Sequence, residues 1–448
     1  MRETMIRTSK SISMIALATT AITLFSACDT FKEKVPLTGK RETILSIDTS
    51  LMPDPAVTHT PVTVPPSTRN QEWPQAGGMP SHVMSNAALA QPLNETWVAS
   101  IGAGTSEDHR MTSGPVVGQG HVFVSDAMGA ISAINGKDGT ILWTVNPLPE
   151  GHTSEAMGGG VAYDNGKVYC TTSFGEIVAL QAKDGKVVWR QSIGAPSRVA
   201  PTIHDGKVYA LSINNEIHAF SAQSGSSLWT HAGISEAAGI LGGASPAVSK
   251  GIVVSAYSSG EIFAFDAGSG QPIWGDLLNP ALRIDSVASI AHIRARPVIS
   301  GGVVYIVSHG GQMVALDHKT GNRLWQREIG GIRSPAVIGD SIFIVTNDGD
   351  LACIKRATGQ IHWATALPKV DSDKKAVLWA GPIVAGGSLV LTGSNGQILF
   401  VSLKDGKVSK TIEMGVSSSL SPIAADGALY VLTDDGKVIK YSSEEQKT

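Results

Sequence analysis

The chain has only three cysteines in 448 residues, 16% charged residues and 6% aromatics, with 35 basic residues nearly balanced by 38 acidic ones. Each scarcity excludes a class of protein. Three cysteines are too few for a disulfide scaffold, and a net charge of −3 leaves no electrostatic footprint for nucleic acid. Chemistry-bearing motifs are missing too. The sequence has no metal-ligand cluster with usable spacing, no phosphate-cradling loop between a strand and a helix, and no nucleophile elbow. His82, His204, His218, His309, His318 and His362 are scattered and read as surface or turn residues rather than ligands. What is plentiful is turn chemistry, with 49 Gly and 22 Pro set among 42% hydrophobic residues.

The first 27 residues differ from the rest. Arg2, Arg7 and Lys10 precede an apolar and small-residue run from Ile12 to Phe25, the pattern of a secretory signal. It ends in Leu24-Phe25-Ser26-Ala27-Cys28, which resembles a bacterial lipobox and makes Cys28 the expected lipidated N-terminus. Asp29 resembles the residue that retains some lipoproteins in the inner membrane, so the sequence leaves both membranes open. Residues 28–92 carry Pro53, Pro55, Pro61, Pro65 and Pro66 without sustained periodicity and read as a tether, with Trp73-Pro74-Gln75-Ala76-Gly77-Gly78 as a stretch able to pack on the domain beyond.

From residue 93 onward the tryptophans act as a ruler. Trp143, Trp189, Trp229, Trp274, Trp325 and Trp363 each have a glycine four residues earlier: Gly139, Gly185, Gly225, Gly270, Gly321 and Gly359. Each unit extends backwards through two short alternating runs to a start such as Ser334-Pro335-Ala336-Val337, the signature of four antiparallel strands. Eight starts are present: Pro115, Gly160, Pro201, Pro246, Pro297, Pro335, Pro382 and Pro422. The seventh unit has Lys410 in the tryptophan position. The eighth lacks a fourth strand, whereas Asn94–Ala99, containing Trp97, is a fourth strand without a unit in front of it. The expected fold is an all-β, eight-bladed β-propeller of four-stranded antiparallel blades over 93–448, closed by this N-terminal strand so that no sheet edge stays open. Each tryptophan is expected to pack on the neighbouring blade and over the glycine turn that precedes it. Cys170 and Cys353 fall four blades apart, too far to bridge, and read as small buried hydrophobes.

Function is expected where the repeat varies. Start-to-glycine spacing is 24 residues in six units and 25 in the second, while the connection from the tryptophan position to the next start runs 18, 17, 12, 17, 23, 10, 19 and 12 residues. In an up-and-down blade these connections share one face, the face on which repeat proteins commonly bind. The connection into the fourth blade is apolar at Ile240 and Leu241, and the longest, into the fifth, carries Arg283, Asp285, His292, Arg294 and Arg296. Apolar anchors beside arginines suit a protein contact.

The repeat Ala315-Leu316-Asp317-His318-Lys319-Thr320-Gly321-Asn322-Arg323-Leu324-Trp325 resembles the tryptophan-docking repeat of quinoprotein propellers. Two branches of that superfamily compete. Quinone-dependent dehydrogenases carry adjacent cysteines and a Glu/Asn/Asp calcium set, neither of which can be assembled here. Length, lipobox and proline tether instead resemble the BamB family of outer-membrane assembly lipoproteins. That resemblance implies a scaffold without catalysis or cofactor, anchored by lipid on the periplasmic side of the outer membrane. Its implied partners are the barrel-insertion subunit of the assembly machine and unfolded outer-membrane proteins. The implied contact positions are Ile240–Ala244 and Ile284–Arg296. Leu241 stands where the family pattern has an arginine, and His292 and Arg294 stand where it has acidic residues, so the contact chemistry does not transfer. A polysaccharide- or peptide-binding propeller is the remaining alternative.

Overall fold

The computed structural model describes residues 51–152, 157–236, 239–278 and 291–443. Cys28, Arg283 and Asp285 lie outside them. The compact unit runs from Ser50 to Thr448.

Among the described residues all regular structure is β. It forms eight antiparallel sheets of four strands each. Blade 1 comprises Val116–Gly118, His121–Ser125, Ile131–Asn135 and Ile141–Val145, and blades 2 to 7 repeat that order. In blade 8 the inner three strands are Ile423–Ala425, Ala428–Thr433 and Lys437–Ser442, and the outer strand is Asn94–Ser100, paired antiparallel to Lys437–Ser442. Neighbouring blades pack through their inner strands, and the core is the apolar matter between blades. It includes both cysteines, which are buried and unpaired, their thiols pushed up to about 12 by burial.

The blade joints follow one design. Cross-strand from the tryptophan on the third strand sits a small residue: Ala133, Ala179, Ala219, Ala264 and Ala315, and in blade 6 Cys353. A bulge beside that pair recurs in every blade from 1 to 7, which re-aims the side chain. The expectation that the ring covers its own blade's glycine turn is corrected here. It covers the glycine of the next blade: Trp97 on Gly139, Trp143 on Gly185, and so on to Trp363 on Gly406. A Cβ on any of these seven glycines would lie 2.5–2.9 Å from the indole, and all seven have φ between +70° and +79°. Each indole N–H also donates to a carbonyl of that next blade at 2.9–3.3 Å, as Trp229 Nε1 does to Ala267 O.

Residues 51–92, read from composition as part of the tether, pack on the ring instead. The inner strand of each blade is a sheet edge facing the axis, with backbone groups needing partners. The N-terminal segment hydrogen-bonds all eight blades, at the inner strand or at the turn that follows it. Trp73 exchanges backbone hydrogen bonds with Val117 (2.9 and 2.8 Å), and Pro74 O accepts from Tyr163 N (2.7 Å). Gln75 brackets Ile203, accepting from its N–H (2.9 Å) and donating to its C=O (2.7 Å). Pro80 O and Ser81 O accept from Val248 N and Ile299 N, and Thr63 N donates to Asp340 Oδ1. Ala87 bonds Val384 and Gly386, while Asn70 and Ala90 bond Asp426 and Gly427. These partners are middle or late residues of the inner strands and residues of the turns that follow them. The segment therefore covers one mouth of the axial channel and leaves the opposite mouth, where the connections between blades enter, uncovered by it.

Candidate partner-binding face

The uncovered face is built by the variable connections. Between blades 3 and 4 it holds a groove of about 380 Å³, whose walls include Arg198, Leu211, Ile213, Ile240, Gly243 and His292. Side-chain hydrogen bonds, most of them to backbone, shape it. Asn215 Nδ2 donates to Ile234 O, and its Oδ1 accepts from Ser258 N and Oγ (3.1 and 3.0 Å). Glu261 accepts from Ile234 N (2.7 Å), so blade 4 holds the connection that leaves blade 3.

The predicted contact residues separate into groups. Ile240 and Leu241 are half-buried, and Ile240 is part of the groove wall. His292 is 4% exposed and structural: its Nδ1 accepts from Ile240 N at 2.8 Å and so joins the two connections. That acceptor must be unprotonated. The imidazole pKa is lowered to about 4, chiefly by burial and then by Arg294 and His309, so the ring is neutral at physiological pH. Arg294 and Arg296 point not into the groove but into the axial cavity. Ile213, 40% exposed, and Ile234, 59% exposed, were not singled out from sequence. Ile213 stands in a turn, Ser212-Ile213-Asn214-Asn215, where an apolar residue has no folding role, and that misfit was the available signal.

The histidine reading needs correction as well. His82, His218 and His362 are buried rather than at the surface, and His318 stands in a turn but is buried there. His82 Nδ1 bonds Pro297 O at 2.8 Å, and its pKa is lowered to about 3 by burial. His218 stacks on Phe220 at 6.0 Å. Among the described residues no three His, Cys, Asp or Glu side chains converge as a metal centre.

Residues 127–365 match the family described as outer membrane protein assembly factor BamB. The chain belongs to this family. Members of it from Escherichia coli K12 and Salmonella typhimurium are 26% and 27% identical over 152 and 150 residues, 33% of this chain and 37% of each relative. The chain thus spans about a third of the length of the curated relatives it matches. Among solved structures, BamB from Moraxella catarrhalis superposes with a TM-score of 0.61 at 19% identity, covering 80% of this chain and 99% of that one. A europium-containing methanol dehydrogenase superposes with a TM-score of 0.64 at 16% identity, covering 81% and 89%. At such identities both likenesses are statements about the propeller fold.

Proposed function

We propose that this protein is a non-catalytic scaffold of the machinery that inserts β-barrel proteins into the outer membrane, and that it binds the barrel-insertion subunit from the periplasmic side. Membership of the BamB family carries this reading. Supporting it, one mouth of the ring is occupied by the chain's own N-terminal segment, so a partner is offered the opposite face. There the groove between blades 3 and 4 is walled in part by Ile213 and Ile240, with exposed Ile234 and half-buried Leu241 on the same connection, apolar area on a rigid frame and the composition of an interface centre. Lipidation at Cys28 would anchor the chain.

The test is site-specific photocrosslinking from positions 234 and 241 of the full chain in its own cells. Capture of the barrel-insertion subunit from both positions, with none from Val98 on the outer rim, is the expected result. Absence of that subunit among the captured proteins overturns the reading.

A further inference from the structure

Three arginines line one cavity on the axis of the ring. Arg294 and Arg296 come from the connection into blade 5 and Arg333 from the connection into blade 6, and all three line an axial cavity of about 90 Å³. Its floor is the N-terminal segment, through Trp73, Gly77 and Met84. The field of Arg294 reaches both Arg296 and Arg333. Burial lowers all three guanidinium pKa values, those of Arg296 and Arg333 to about 10, which still leaves them charged at neutral pH.

Ordinary structural arginines have partners that explain them. Arg190 in this chain bonds Glu176 and two carbonyls. The axial three have no such set. Among the described residues none forms an ion pair; Arg333 Nη1 donates to Ser419 O at 3.1 Å, and the buried Nε of Arg296 has no acceptor. Asp434, whose field reaches Arg333, has its oxygens engaged by Ser417 and Ser419. Gly242 makes room for the cluster, since a Cβ there would sit 2.7 Å from Arg294 Nε. All three are half-buried, so water screens them only in part, and like charges gathered in one cavity with donors unspent favour an anion joining them.

We propose that the axial cavity is a binding site for a small oxyanion, a phosphate-type or carboxylate group, held by Arg294, Arg296 and Arg333. The cavity, about 90 Å³, is well above the roughly 10–15 Å³ that a single water needs by the same measure, which leaves room for a small polyatomic anion. Guanidinium forks match the oxygens of such anions, and the hydroxyls of Ser113 and Ser421 line the same space.

The experiment titrates the full chain, dialysed into chloride, with inorganic phosphate, sulfate or acetate at constant ionic strength, following heat and Tm. Saturable heat and a Tm that rises with the logarithm of oxyanion concentration are expected. Preference for phosphate and sulfate assigns a tetrahedral dianion, and preference for acetate assigns a carboxylate. Arg294→Gln is expected to weaken binding about tenfold or more while leaving Tm in chloride unchanged or higher, because it relieves repulsion. No heat, with identical Tm in every anion for the unsubstituted protein, overturns the proposal whether or not the variant folds. So does an Arg294→Gln variant that binds with unchanged affinity.

Discussion

The tryptophan–glycine joint can be tested with an internal control. Gly270 and Gly251 lie in turns of the same blade with nearly the same backbone, φ +72° and +76°. A Cβ at Gly251 meets nothing within 4 Å, while one at Gly270 meets Trp229 Cγ and Cδ2 at 2.5 Å. Gly251→Ala therefore carries only the left-handed backbone term, about 1–2 kcal/mol. Gly270→Ala carries the same term and also expels the ring. If half of a 150–250 Å² indole returns to water, roughly 2.5 kcal/mol is lost at about 25 cal/mol/Å², and losing the bond to Ala267 O adds about 1 kcal/mol. Gly270→Ala should thus destabilise by about 3–4 kcal/mol more than Gly251→Ala. In a Trp229→Ala background that excess should vanish, since no ring remains to be displaced. Urea midpoints of the singles and doubles measure it. An excess that persists without Trp229, or two glycine variants of equal stability, refutes the joint.

Two further outcomes follow from the same structure. The lowered pKa values of His82 and His292, about 3 and about 4, mean that the unfolded chain takes up their protons first. Their contribution is full above pH 6.5 and is lost toward pH 4, by about 1.4 kcal/mol per pH unit and histidine; thermal melts between pH 7 and 4.5 should show a slope that His82→Asn with His292→Asn flattens, and an unflattened slope removes these residues from the account. Deleting Asn94–Ser100 takes the outer strand from blade 8 and exposes Lys437–Ser442 as an edge; Tm should fall sharply, and an unchanged melt refutes closure.

The repeat was legible because it is written in side chains at fixed spacing: starts, glycine turns and tryptophans gave eight blades and the composite eighth. A further regularity was equally visible, since each small residue opposite a tryptophan precedes it by ten positions, from Ala133 and Trp143 to Cys353 and Trp363. What could not be read is of two kinds. The N-terminal segment binds every blade, but mostly through its backbone, which leaves no pattern in side-chain type, and its prolines imitate a linker. The directions of connections are set by closure of the ring. Arg294 and His292 are two residues apart, yet one faces the axial cavity and the other pins a loop, and charge in the sequence does not distinguish them.

The missing eighth tryptophan follows from how the ring closes. A docked indole needs a tight glycine turn between the third and outer strands of the next blade, because a side chain there would occupy the ring's place. In blade 8 those strands are Lys437–Ser442 and Asn94–Ser100, far apart in the chain, so no turn joins them and no receiving glycine exists. A tryptophan on blade 7 would have nothing to cover. Blade 7 instead reverses the sizes of the pair: Phe400 fills the slot that elsewhere holds alanine or cysteine, and Lys410 opposite it lays its ammonium over that ring at 5.6 Å. The apolar volume thus moves from the outer strand to the third, where its own blade buries it, and the exposed position takes a charge that water and the aromatic face both accept. Loss of the repeat residue at Lys410 is therefore matched to the strand exchange on the adjoining blade rather than being decay of the repeat. The seven pairs and the one exception are products of the same geometric requirement.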